Sequence, residues 1–187
     1  CIAYAFTYAC FVTVSGSGTF SLTGTLSEGK IYVNCNDEEK KVKLYLDGVT
    51  ISCSDDAPLF IENSPKETIL ILAEGKVNTL SDSADRVVPD DGSEYATAAV
   101  YSKGDLQIEG SGTLNINANF NKGIFSKNDI DIRGGKINIT SADDAIRGKD
   151  SVEISDGEIK ITSGGDGIRT SEELEEDKGS ILITGGN

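Results

Sequence analysis

Phe120–Ser141 (FNKGIFSKNDIDIRGGKINITS), Ala142–Ser163 (ADDAIRGKDSVEISDGEIKITS) and Gly164–Asn187 (GGDGIRTSEELEEDKGSILITGGN) are three versions of one pattern. The first two are 22 residues long each, and the alignment carries through Gly185 without a gap. Laid over one another they make apolar columns: Ile124, Ile146, Ile168; Ile130, Val152, Leu174; Ile137, Ile159, Ile181; and Ile139, Ile161, Ile183. β-Branched residues at every second position suit strands that send alternate side chains inward. Gly135, Gly157 and Gly179 mark a turn that needs unusual backbone angles. Thr140, Thr162 and Thr184 follow the last strand of each copy.

The pattern extends upstream. Val100–Asp105 resembles Ile124–Asp129, and Leu114 and Ile116 fall where Ile137 and Ile139 should. Asp55-Asp56-Ala57 echoes Asp143-Asp144-Ala145, with Val42/Leu44/Leu46 and Ile69/Ile71 as strands around it. Gly18–Val33 reads as two short strands about a Ser-Glu-Gly turn. Helical spacing is missing, a leucine-rich scaffold is absent, and the period is too long for a nonapeptide calcium roll. The expected fold is all-β, a right-handed parallel β-helix (solenoid) with 22-residue rungs spanning residues 18–187. Rungs of roughly 20–25 residues would give about seven or eight turns. Residues 81–94 (SDSADRVVPDDGSE) break the period and read as an acidic surface insertion. Residues 1–17 form a separate apolar strand, alternating from Ile2 to Val14, that caps the domain or serves assembly. The last strand, near Ile181, would leave an apolar end needing cover.

The apolar fraction, 37%, is low for a globule but suits a fold that buries thin columns. The net charge of −14 argues against nucleic acid and anionic membranes, which need a basic stripe. The chain starts without Met and reads as a processed or trimmed product, with Cys1 where a lipidated terminus would sit. With no His and no CxxC, Cys1, Cys10, Cys35 and Cys53 do not suggest zinc; disulfides are open in any pairing. No apolar stretch is long enough to span a bilayer as a helix. Asn138-Ile-Thr140 matches a glycosylation sequon but is better explained as strand periodicity.

Chemistry concentrates in the turns. Stacking puts Asp144 against Asp166 with Asp143 beside them, at the strand spacing of about 4.8 Å. Carboxylates that close repel unless a cation intervenes, and Ca²⁺ accepts such oxygen ligands. Arg147 and Arg169 stack three residues later and could neutralise the same acids without metal. Asp150, Glu172 and Glu173 line a second acidic turn, and Asp55 with Asp56 a third.

The string from Gly110 to Ser171, with its ADDAIRGKDS and GGDGIR turns, resembles a family of clostridial-type bacterial surface proteins, the carbohydrate-binding domain-containing proteins. SLTGTLSEGKIYVN, VKLYLDGVTISCSDDAPLFIENS and ILAEGKVNTLSD fit the same pattern, so the likeness covers about Gly18 to Gly186. The resemblance implies a polysaccharide-lyase-like parallel β-helix, extracellular or cell-surface location, Ca²⁺ in acidic turns, and an acidic or plant cell-wall polysaccharide as ligand. Asp143, Asp144 and Asp166 then become metal ligands, and Lys122, Arg147, Lys149 and Arg169 the cations nearest a bound uronate. The expected function is non-catalytic, calcium-dependent polysaccharide binding. The absence of Trp counts against a flat cellulose-type platform. Two alternatives stand beside it: a cell-surface filament or adhesin built by strand addition, and a Ca²⁺-dependent pectate-type lyase.

Overall fold

A computed structural model describes residues 2–6, 11–64, 66–92, 94–171 and 178–187, with the side chains of 2–6 left aside. Every element among these residues is a strand: β1 (Ile2–Phe6), β2 (Phe11–Val14), β3 (Gly18–Leu26), β4 (Lys30–Asn34), β5 (Val42–Cys53), β6 (Leu59–Asn63), β7 (Thr68–Leu72), β8 (Val77–Asp82), β9 (Ala98–Ser102), β10 (Leu106–Gly110), β11 (Thr113–Ala118), β12 (Lys122–Ser126), β13 (Asp129–Ser141), β14 (Ile146–Gly148), β15 (Ser151–Ser163), β16 (Ile168–Thr170) and β17 (Ser180–Ile183). All pairings between them are parallel. They form a 10-stranded sheet and a 7-stranded sheet.

The open right-handed β-helix expected from the period is corrected by the connectivity of the larger sheet. Its path runs β5–β7–β10–β13–β11–β8 and returns to β5, closing a six-strand parallel barrel; β1, β3, β15 and β17 extend it, and the smaller sheet lies alongside. The cause lies in two long strands. β5 pairs β7 through Val42–Leu46 and β8 through Thr50–Cys53. β13 pairs β10 through Ile130–Ile132 and β11 through Lys136–Ser141. Each long strand bends at glycine and takes two partners, so the ladder closes where a period alone reads as an open coil. Gly135 makes the β13 bend at φ +89°, where a Cβ would lie 2.6 Å from Leu72 Cδ1.

The columns run through most of the chain, at 22-residue spacing from Ile124 onward and at unequal spacing upstream. On the small sheet Val12, Ile31, Leu59, Val100, Ile124, Ile146 and Ile168 follow one another in register. On the large sheet Leu114, Ile137 and Ile159 do so, as do Ile116, Ile139 and Ile161. Ile124 and Ile146 have no exposed surface, and burying each contributes about 1.5–3 kcal/mol. The two inner faces share one apolar core.

The ungapped alignment fails in its last third. Ile181 lies on Val152 and Ile183 on Ile154, not on Ile159 and Ile161. Gly186, not Gly179, sits over Gly157: Asn187 N donates to Gly157 O at 2.9 Å. The segment before β17 is therefore seven residues longer than the period allows, and Leu174 lies outside the described residues. Within residues 1–17, β1 and β2 lie in different sheets and pair with β3 and β4 of the same chain. Along β2 the expected alternation holds, with Val12 and Val14 inward and Phe11 half exposed. Cys35 and Cys53 are buried free thiols, and Cys1 and Cys10 lie outside the described residues. Asn138 lies on β13 and donates to Asn115 Oδ1 at 2.8 Å.

Candidate functional site

The outward face of the small sheet carries a ladder of rings. Tyr32, Phe60, Tyr101 and Phe125 are successive register partners, and Phe11 stacks on Tyr32. Ring centroids are 5.1–5.6 Å apart along the series. Lys30 and Lys103 stand over Phe60, each 5.8 Å from its centroid, a cation–π arrangement. At Phe125 the ladder changes character, because its next partners are Arg147 and then Arg169. Arginines thus take the register positions that aromatic residues hold on the preceding strands.

Beside this change lies a groove of about 410 Å³ lined by Thr97, Lys122, Phe125, Lys127, Arg147, Lys149 and Ser171. Its basic edge comes from backbone stacking at one turn. Lys127 N donates to Ser102 O and Lys149 N to Ser126 O, both at 2.9 Å, which sets Lys103, Lys127 and Lys149 one above another. Ser126 Oγ fixes the turn, donating to Gly104 O at 2.8 Å and accepting from Asn128 N at 3.0 Å. On the opposite side Lys122 is nearly buried and its Nζ donates to Asn121 Oδ1 at 2.8 Å. In a chain of net charge −14, four cations gather around one aromatic ring, and Lys122, Lys127 and Arg147 among them are paired with Asp143, Glu94 and Asp144.

The expected ligand-binding residues thus divide. Lys122, Arg147 and Lys149 meet in the groove, and Arg169 lies next to Arg147 in register but does not line it. Lys127 and Phe125 were missed as site residues, although both repeat at the 22-residue period, Lys127 with Lys149 and Phe125 with Arg147.

Five of the carboxylates expected to hold metal, Asp143, Asp144, Asp166, Asp150 and Asp56, are met by a protein cation. Lys122 Nζ lies 3.2 Å from Asp143 Oδ2, Arg147 Nη1 3.5 Å from Asp144 Oδ2, and Arg169 Nη1 3.5 Å from Asp166 Oδ2. Asp144, whose side chain is 3% exposed, also accepts the Asp166 N–H on Oδ1 at 2.9 Å, tying adjacent turns together. Asp150 pairs with Lys178 at 3.1 Å. Asp56 pairs with Lys30, and with Arg86 at 3.5 Å. Glu172 and Glu173 lie outside the described residues. Among the described residues one group of ligand atoms is close enough to share an ion: Glu28, Cys53 and Asp55. Burial, with the neighbouring Asp55, pushes the Cys53 thiol up to about 11. A neutral thiol does not complete the all-oxygen set that calcium takes. The stacked acids Asp143, Asp144 and Asp166 thus face protein cations at 3.2–3.5 Å, while Asp144 Oδ2 is buried without a hydrogen-bond partner.

The insertion after β8 is less superficial than its composition suggests. Asp82 and Arg86 are buried and pair at 3.0 Å. Arg86 also donates to Ala96 O at 2.5 Å and lies over the Phe120 ring. Asp82 Oδ1 accepts the N–H groups of Asn119 and Phe120, at 2.6 and 3.1 Å. This anchor brings Glu94 back over the lysine edge. Glu94 pairs with Lys127, lies 3.1 Å from Lys103, and accepts from Tyr101 Oη at 3.0 Å. Lys127 first, against a little burial, then Lys103 and Tyr101, hold its carboxyl down to about 2.

No helix among the described residues is long and apolar enough to cross a membrane. The family described as carbohydrate-binding domain-containing protein matches residues 10–187. A carbohydrate-binding domain-containing protein from Acetivibrio thermocellus is 39% identical over 128 residues, 68% of this chain. The chain spans 44% of that relative's length. The solved structure of a polysaccharide lyase-like protein from C. thermocellum, a gadolinium derivative, superposes with a TM-score of 0.89 at 38% identity, covering 94% of this chain and 70% of that one. With nearly the whole length matched and the relatives in agreement, the chain belongs to the family of carbohydrate-binding domain-containing proteins.

Proposed function

We propose that the groove at Phe125 is the carbohydrate site and that it takes an acidic, uronate-bearing polysaccharide. The observation that carries this is the gathering of Lys122, Lys127, Arg147 and Lys149 around one aromatic ring on an otherwise acidic chain. A sugar ring laid on Phe125 gains apolar contact, about 1 kcal/mol. Carboxylates along the chain accept charge-assisted hydrogen bonds from the lysines and from Arg147, each adding about 1–3 kcal/mol. Successive strands repeat the cations at about 4.8 Å, so an extended glycan crossing them meets charge repeatedly. Neutral glucans lack the matching anions. Calcium is given no role in this contact, and the reading places the protein outside the cell, where such polysaccharides occur.

Isothermal titration with oligogalacturonates in EDTA tests the reading. Binding should be measurable, should weaken roughly tenfold in Lys149→Ala, and should fall as salt screens the contacts. Equal, salt-insensitive binding of cello-oligosaccharides would defeat it.

A further inference from the structure

Building on that reading of the groove, we infer that Lys103, Lys127 and Tyr101 form a second carboxylate-binding position, which Glu94 of the insertion fills as an internal stand-in for the ligand. Glu94 is not placed there by its own strand. It arrives on residues 83–97, pinned at one end by the Asp82–Arg86 pair and at the other by buried Ala96 and Ala98. Its two oxygens are divided between the partners as a uronate carboxylate would divide them: Oε1 takes Lys127 and Tyr101, and Oε2 takes Lys103.

Lys127 belongs to both places. It lines the open groove and also binds Glu94. Along the lysine column Glu94 covers Lys127 and Lys103, the latter also paired with Glu62 at 2.7 Å, while Lys149 lines the groove beyond Glu94. The covered portion also carries the aromatic ladder onward, since Tyr101 stacks on Phe125 at 5.4 Å. The Glu94 side chain is 47% exposed and that of Lys127 40%. An ion pair that exposed is worth little, so a ligand carboxylate can displace it at low cost. The Glu94 carboxyl, held near 2, stays ionised wherever a uronate is ionised, so the stand-in competes across the whole range in which the glycan binds.

The test is affinity against chain length for oligogalacturonates, measured on the wild type, Glu94→Gln and the charge control Glu158→Gln, which alters an exposed pair with Lys136. In the wild type, affinity should stop rising at a short length. In Glu94→Gln it should go on rising, with longer oligomers bound at least about threefold tighter, the size expected of freeing one exposed ion pair. Adding Lys103→Ala to Glu94→Gln should remove that gain, and Glu158→Gln should follow the wild type. Identical length profiles for the wild type and Glu94→Gln, with binding still lost in Lys149→Ala, would overturn the inference and leave the groove reading standing. Weaker binding by Glu94→Gln would also overturn it. Absence of binding by both proteins would remove the groove reading as well.

Discussion

Arg147 lies in register directly beside Phe125, so a column of aromatic rings passes into a column of guanidinium groups at one strand boundary. The same arginine reaches back three residues to Asp144, whose side chain is almost fully buried. It thus serves the groove and the turn beneath it. Arg147→Ala should destabilise the domain by about 1–3 kcal/mol, because Asp144 Oδ2 would be left buried without a cation. Arg147→Lys should recover most of that loss. Denaturant midpoints of the three proteins at neutral pH check this.

Arg86 makes a sharper case. Its partner Asp82 has no exposed side-chain surface, and Arg86 itself is 3% exposed. Breaking a buried pair by removing one partner costs about 3–5 kcal/mol. Arg86→Ala should show that loss in chemical denaturation, and proteolysis should cut first within 83–97.

Glycine at the β13 bend is required by geometry. Gly135→Ala would force φ +89° on a residue with a Cβ and press it against Leu72. A loss of about 1–3 kcal/mol is expected from the strained conformation. Gly167→Ala, with 3.9 Å to its nearest neighbour and no positive φ, should cost much less in the same assay.

Acid should act partly through Glu94. Its folded pKa, about 2, lies below the ordinary value of 4.5. A depressed acid contributes stability above its unfolded pKa and loses it as pH falls through the folded one. The Tm difference between the wild type and Glu94→Gln should therefore be constant above about pH 5 and vanish near pH 2. The group is largely exposed, so the difference should be small, and its disappearance with acid is the discriminating feature.

Calcium gives a further check. The stacked acids Asp143, Asp144 and Asp166 already face Lys122, Arg147 and Arg169. Differential scanning calorimetry with millimolar Ca²⁺ and with EDTA should give the same Tm. An upward shift with Ca²⁺ in the wild type, lost in Asp144→Asn, would show that the ladder yields to metal.

The 22-residue period by itself determined which side chains stack. It placed Ile124 on Ile146 and Ile168, and Ile137 on Ile159. Parallel pairing carries one copy's alternation into the next, so local sequence is enough for those columns. Tertiary structure alone decided three other features. Closure of the large sheet depends on bends at Gly48 and Gly135 that let β5 and β13 each take two partners. The slip that sets Ile181 on Val152 depends on how much chain precedes β17. The position of Glu94 on the lysine column depends on an insertion without period, held by a buried pair. Periodicity specifies neighbours that recur; it carries no information on where a non-repeating segment folds back, because that is fixed by contacts distant in sequence.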